Sequence, residues 1–472
     1  MSTVTPVPLV FGDYALEDRY RLNKGRVYLT GIQALVRLPM MQRQRDLKAG
    51  LNTGGFISGY RGSPLGMYDN ALWGAKRYLK ENNIHFQPGL NEDLAATAVW
   101  GTQQTNLFPG AKVDGVFGIW YGKGPGVDRT GDAFRHANFA GTSKFGGVLA
   151  LMGDDHTAES STTAHQSEFN FVDVMIPILN PAGAQEIIDY GLYGWAMSRF
   201  TGTWVGLKCM HETVESTAVV DGALDRLNIV IPGPEDFAMP PGGLNIRLGD
   251  TVLGMEARLH DYKRDAMLAF IRANKLNKVI TSGGRNPKIG VITTGKSYLD
   301  VRQALDELGI DEVKCNEWGL RIDKIACPWP IGRQELIDFA KGLDLIIVVE
   351  EKRSLIEVQV REELYGSPNQ PVVIGKKDEQ GNWLFPVKGA LDPNDVAICI
   401  GERLLRYGAN DELAANVALE KPAWYGWQRW HLVRRERTDK ARRDQYHELG
   451  LLGAVTLALE QVSDDRQAAQ AG

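Results

Sequence analysis

Short apolar runs recur along most of the chain, set apart by glycine-rich turns and by stretches with helical spacing. Residues 54–60, 115–120, 148–152, 174–179 and 204–207 are such runs, each long enough for a strand. The segment 27–38 becomes apolar at helical spacing after Gly31, and residues 67–79 read as a helix. This alternation argues for an α/β fold: a mostly parallel, doubly wound sheet with helices on both faces. Pro232-Gly-Pro-Glu235 and Pro240-Pro-Gly-Gly243 then punctuate a linker, and residues 262–277 form a charged amphipathic helix. A second α/β unit starts at 288–294 and continues through apolar runs at 343–349, 371–374 and 396–400. Beyond Gly401 the pattern is helical, with a basic solvated face at 434–443 and a polar, disordered end at 463–472.

Composition narrows the function classes. At 472 residues two or three domains are expected, and 43% hydrophobic with 24% charged residues is the balance of a soluble globular protein. A net charge of -5 leaves no footprint for nucleic acid or an anionic membrane, and no apolar run reaches the ~20 residues of a membrane span. The first residues lack a signal peptide's basic start and apolar core. Cys209, Cys315, Cys327 and Cys399 stand far apart with no CxxC pair, which argues against a metal or iron–sulfur site on this chain and for a reducing, cytoplasmic setting.

Several stretches could carry chemistry. Asn91-Glu92 reads as an N-cap followed by a first-turn carboxylate, favoured there by the helix dipole. Gly122-Lys-Gly-Pro-Gly-Val-Asp-Arg129 follows a strand, where open α/β sheets bind ligands; its glycines admit close approach, and Lys123 and Arg129 bring positive charge. Asp155-His-Thr-Ala-Glu-Ser-Ser-Thr-Thr-Ala-His165 is a hydroxyl-rich loop whose histidines, His156 among them, are acid–base candidates. Two pattern matches are rejected. Gly290-Val-Ile-Thr-Thr-Gly-Lys-Ser297 fits a phosphate-loop pattern, but its apolar run lies inside the pattern rather than before it, so Thr294 to Ser297 is an ordinary strand-to-helix turn. Gly153-Asp-Asp155 with Asn180 imitates a Mg-diphosphate motif, yet Asp155 and Pro181 replace two of its defining residues.

Five ordered stretches resemble the N-terminal half of the indolepyruvate:ferredoxin oxidoreductases, within the thiamine-dependent 2-oxoacid:acceptor oxidoreductases. They are Gly59-Tyr-Arg-Gly-Ser-Pro-Leu-Gly66, Asn91-Glu92, Gly122 to Arg129, Asp154-Asp-His-Thr-Ala-Glu-Ser-Ser161 and Val349-Glu-Glu-Lys-Arg-Ser-Leu-Ile-Glu357. The resemblance implies an N-terminal extension at 1–24, a pyrimidine-type thiamine diphosphate domain at 25–240, a linker with a helix at 241–287, a transketolase-C-terminal-like domain at 288–405 and a helical tail at 406–472. It makes Glu92 the carboxylate that hydrogen-bonds the cofactor's aminopyrimidine ring. It assigns Gly59, Tyr60, Arg61, Ser63 and Pro64 to the loop closing over cofactor and substrate, and Lys123, Arg129 and His156 to the substrate. No metal ligand is assigned to this chain. Mg²⁺, the diphosphate and the iron–sulfur clusters are expected on a partner subunit or a missing half, with ferredoxin, coenzyme A and a 2-oxoacid as further partners and a dimer or hetero-oligomer as the assembly. The chain alone is therefore expected to be inactive; a non-catalytic interaction or regulatory subunit with the same fold is the alternative. Trp424, Trp427 and Trp430 of the tail read as helix core or a docking surface.

Overall fold

A computed structural model describes residues 15–158, 163–408 and 411–421. The described residues up to Gly408 belong to one compact unit; of the remainder, only 411–421 is described, as helix. The tail tryptophans, the basic stretch 434–443, the end 463–472 and Glu159 to Ser161 lie outside the described residues.

The strands are β1 Arg26–Thr30, β2 Gly54–Gly59, β3 Ile84–Phe86, β4 Val116–Lys123, β5 Val148–Asp154, β6 Ile178–Leu179, β7 Val205–Met210, β8 Thr217–Asp221, β9 Lys278–Ser282, β10 Ile289–Thr294, β11 Leu320–Ile325, β12 Leu345–Val349 and β13 Val372–Ile374. β2 to β7, in the order β3-β2-β4-β5-β7-β6, form an all-parallel sheet. The second sheet, β13-β12-β10-β11-β9, is parallel except for the antiparallel edge strand β9. β1 and β8 pair as a separate antiparallel ribbon.

Side chains alternate across a strand, so a strand buried on both faces feeds two cores. Phe117, Ile119 and Tyr121 of β4 and Leu149 and Leu151 of β5 join one core, with the helices Gly31–Lys48 and Ala184–Thr201. Trp120, Val148, Ala150 and Met152 join the other, with helix Glu92–Thr102. The first of those helices starts with a full capping box, Thr30 to Gln33, and Ala184–Thr201 ends on Gly202 at φ 67°.

Five sequence expectations need correction. The glycine-rich stretch after residue 120 is not a loop: β4 runs on to Lys123, and Gly124–Arg129 is a helix with Pro125 in its first turn, where its fixed φ suits helix entry. Residues 396–400 lie in the helix Pro393–Tyr407, whose Asp392 side chain caps Asn394 and whose Val396, Ala397, Ile400 and Leu404 share one buried face. The run 174–179 yields only the two-residue β6, since the chain turns at Met175 (φ 57°). The helix at 67–79 is two, Tyr68–Gly74 and Lys76–Glu81, broken where Gly74 weakens it. The linker helix is Arg264–Ala273, continuous with a π turn Leu259–Lys263 and the helix Val252–Arg258.

The two sheets meet through backbone. Ile178 N–H donates to Trp329 O at 3.0 Å and Asn180 N–H to Ala326 O at 2.9 Å, so the edge of β6 is continued by a segment following β11.

Candidate functional site

Backbone pairing delivers Glu92 to the C-terminal edge of the parallel sheet. Gln87 N–H donates to Ile57 O at 3.0 Å and Gly89 N–H to Gly59 O at 2.8 Å, which zips the segment leaving β3 along β2. Asn91 then caps the helix, its side chain accepting from Leu94 N–H at 2.9 Å, and Glu92 falls in the first turn. The buried Trp120 indole donates to Glu92 O at 2.9 Å and pins the turn to β4. The Glu92 side chain is buried, and its closest cation is Arg129, with Nη1 3.9 Å from Oε2. Among the described residues no hydrogen-bond donor reaches the carboxylate. The surface over it is bare backbone: a Cβ on Gly126 would stand 2.6 Å from Glu92 Oε1, and one on Gly122 3.5 Å from its Cγ.

Most other sequence-chosen residues gather at the same edge. Tyr60 N–H donates to Tyr121 O at 3.1 Å, and Gly59 packs so tightly on Tyr121 that a Cβ would lie 2.2 Å from its carbonyl oxygen. Gly62 abuts the Lys123 side chain, and Pro64 rests on Gly153 at the end of β5. The turn 59–66 therefore lies across the ends of β4 and β5, with Tyr60 and Arg61 exposed and Ser63 half-buried. Arg129 spends its guanidinium on the helix-start acids, Asp93 and Glu92.

His156 is placed elsewhere, in a buried cluster of charges facing the second sheet. Its Nδ1 lies 2.9 Å from His165 O, its carbonyl accepts from Lys352 Nζ, and its Nε2 meets no partner among the described residues. Burial, aided by the Lys208 charge, pushes it down to about 4, so it is neutral at physiological pH. Lys208 on β7 is fully buried between Glu168 and Asp154. Burial opposes the Asp154 charge, yet His165, Lys208 and Ser167 hold its carboxyl well below the ordinary range. Ser167 Oγ donates to Asp154 Oδ1 at 2.6 Å, and His165 Nε2 lies 2.9 Å from Asp128 Oδ2. The helix Gly124–Arg129 is thus wedged between two sites: Gly126 and Arg129 face Glu92, while Gly124 and Asp128 face His165.

Across the junction Lys296 pairs with Asp300 at 2.9 Å and Glu351 at 3.1 Å. The lysine of the rejected phosphate-loop match is thereby bound to two acids. Glu350 caps the helix Ile356–Leu364 from outside, its carboxylate accepting the N–H groups of Leu355, Ile356 and Glu357. Sequence reasoning missed Lys208, Glu168 and the Lys296 pairs. The available signal was Lys208 itself, a lone charge within the apolar run Val205–Met210. Asp154, already saturated by its partners, does not suit Mg²⁺ ligation, and among the described residues no group of three or more His, Cys, Asp or Glu is placed to hold a metal. No described helix is long and apolar enough to cross a membrane.

Residues 279–423 match the indolepyruvate oxidoreductase domain model. Indolepyruvate oxidoreductase subunit IorA of Methanothermobacter marburgensis is 24% identical over 351 residues, covering 73% of this chain and 50% of that protein. The same subunit of Archaeoglobus fulgidus is 23% identical over 365 residues, covering 75% of this chain and 52% of that protein. The chain spans about half the length of the curated relatives it matches. Among solved structures, the 2-oxoglutarate:ferredoxin oxidoreductase of Magnetococcus marinus, with 2-oxoglutarate, coenzyme A and succinyl-CoA bound, aligns at TM-score 0.55 and 13% identity over 81% of this chain and 66% of that one. Over about three quarters of its length the chain is similar to indolepyruvate oxidoreductase subunits, and it shares the fold of that 2-oxoglutarate:ferredoxin oxidoreductase.

Proposed function

We propose that this chain is the pyrimidine-side part of an indolepyruvate-type 2-oxoacid:ferredoxin oxidoreductase, which decarboxylates a 2-oxoacid oxidatively to an acyl-CoA. A partner subunit, or a further stretch of the same polypeptide, supplies the part that binds diphosphate, Mg²⁺ and iron–sulfur clusters. The observation that carries this reading is Glu92: a buried carboxylate at a helix start, on the ligand-binding edge of a parallel sheet, roofed by glycines and without a hydrogen-bond donor among the described residues.

Thiamine diphosphate, when bound, supplies a nucleophilic carbon and a sink for the electrons released by decarboxylation. Glu92 would hold the aminopyrimidine ring by accepting a hydrogen bond at its carboxylate, a contact strengthened by the dry surroundings. Arg129, braced by Asp93, orients that carboxylate. Lys123 at the end of β4 offers a cation for the 2-oxoacid carboxylate. The turn Gly59 to Pro64, with Tyr60 and Arg61 on its exposed side, closes over the site and excludes water.

The test is co-expression with the candidate partner, followed by viologen reduction with indolepyruvate, coenzyme A and ferredoxin-type acceptors. Turnover by the assembled wild type and a loss of at least about 100-fold in Glu92→Ala are expected. Retained turnover in that variant would sink the reading, and no turnover by the loaded wild type would favour a non-catalytic interaction subunit.

A further inference from the structure

A cavity of about 490 Å³ opens beside β9, the antiparallel edge of the second sheet, and none of the residues around Glu92 lines it. Its most buried polar lining group is Asp323 on β11, 6% exposed. The helix Arg333–Ala340 contributes Glu335 and Phe339, β9 contributes Val279, and Arg272 and Lys275 stand exposed at the end of the linker helix.

The charges of this cavity are separated, with Asp323 buried within and Arg272 and Lys275 at the exposed rim. Burial, with Glu335 nearby, pushes Asp323 up to about 7, and among the described residues no hydrogen bond or ion pair opposes that. Arg321, the cation on the same strand, is committed to the carbonyls of Ser282, Phe339 and Lys341. Asn277 donates to Glu335 at 3.1 Å while its oxygen takes the N–H groups of Ala326 and Cys327, and it makes no hydrogen bond to Asp323. Asp338 is taken by Lys341. Asp323 therefore has no cationic partner among the described residues, while at the rim Arg272 acts on Glu335 only through space and, like Lys275, forms no ion pair with described residues. A buried carboxyl of this kind calls for a cationic donor. Among the described residues no group of three or more His, Cys, Asp or Glu gathers here to hold a metal ion. The volume is that of a small-ligand pocket.

We propose that this cavity binds a small zwitterion of the α-amino-acid class. The ammonium group sits at Asp323 and Glu335, the carboxylate turns to Arg272 and Lys275, and an apolar side chain lies against Val279 and Phe339.

Calorimetric titration of the full chain tests this with L-leucine and L-tryptophan as probes, beside N-acetyl-L-leucine, which lacks the ammonium, isoamylamine, which lacks the carboxylate, and MgCl₂. Saturable binding of both amino acids is expected, weaker by at least about tenfold for the two truncated probes. Asp323→Asn, with an unchanged circular dichroism spectrum, and the rim variant Arg272→Ala should each weaken leucine binding by a similar factor. No saturable binding at millimolar amino acid, unchanged affinity in Asp323→Asn, or displacement of leucine by Mg²⁺ would each overturn the proposal.

Discussion

Lys208→Met removes the cation that holds the centre of the junction together. In the wild type Lys208 is buried between Asp154 and Glu168, and those charges keep it above its ordinary pKa despite burial. Methionine fills a similar volume but leaves two buried carboxyl groups facing each other. Taking one partner from a buried pair costs about 3–5 kcal/mol. With an unfolding entropy of about 2.1 cal/mol/K per residue, a unit of this size has a slope of roughly 0.85 kcal/mol per degree, so Tm should fall by about 4–6 °C at pH 7.5. The direction with pH follows from the carboxyl groups. In the wild type the Asp154 pKa lies below its unfolded value of about 3.9, so its contribution is whole above that value and is lost only in stronger acid. In the variant both groups prefer the protonated form, their folded pKa values rise, and the penalty fades as pH drops from 7.5 to 5.5. Differential scanning calorimetry of both proteins at the two pH values measures this, with the double variant Lys208→Met, Glu168→Gln expected to regain part of the loss. A drop below 1 °C at pH 7.5, or one that grows on acidification, would refute the reasoning.

Gly126→Ala should leave Tm within about 2 °C, because the overlap falls on the Glu92 side chain rather than on backbone and costs roughly one off-rotamer torsion. It should nevertheless cut turnover of the assembled enzyme by at least about tenfold, read in the viologen assay, by forcing Glu92 aside. Gly202→Ala meets both a left-handed φ of 67° and the Leu244 carbonyl oxygen 2.0 Å from its new Cβ, so a loss of about 2–5 kcal/mol is expected by urea denaturation.

Local pattern carried the fold where runs are apolar throughout, as at residues 148–152 and in Leu345–Val349. It failed at β11, beside the centre of the second sheet, because Arg321, Asp323 and Lys324 break its apolar run; tertiary partners make Arg321 and Lys324 tolerable there. It failed again at Gly124–Arg129, whose glycines argue for a loop while packing on β4 and β5 makes a helix. Asn91 and Glu92 were legible because capping is local chemistry. The junction cluster was not, since Lys208 and Glu168 are forty residues apart and Lys296 and Glu351 fifty-five. Spacing along the chain says nothing of such pairings. Likewise, nothing in its surrounding residues announces that His156 is buried with Lys352 across its carbonyl.

The join between β6 and the segment after β11 bears on how the chain behaves when cut. Ile178–Leu179 is a short, apolar outer strand, with backbone groups that would otherwise present an open template to any passing strand. Trp329 and Ala326 occupy that template. The second sheet thus acts as an internal guard against self-association, and a piece ending near residue 240 should clump through this edge even with its own core intact.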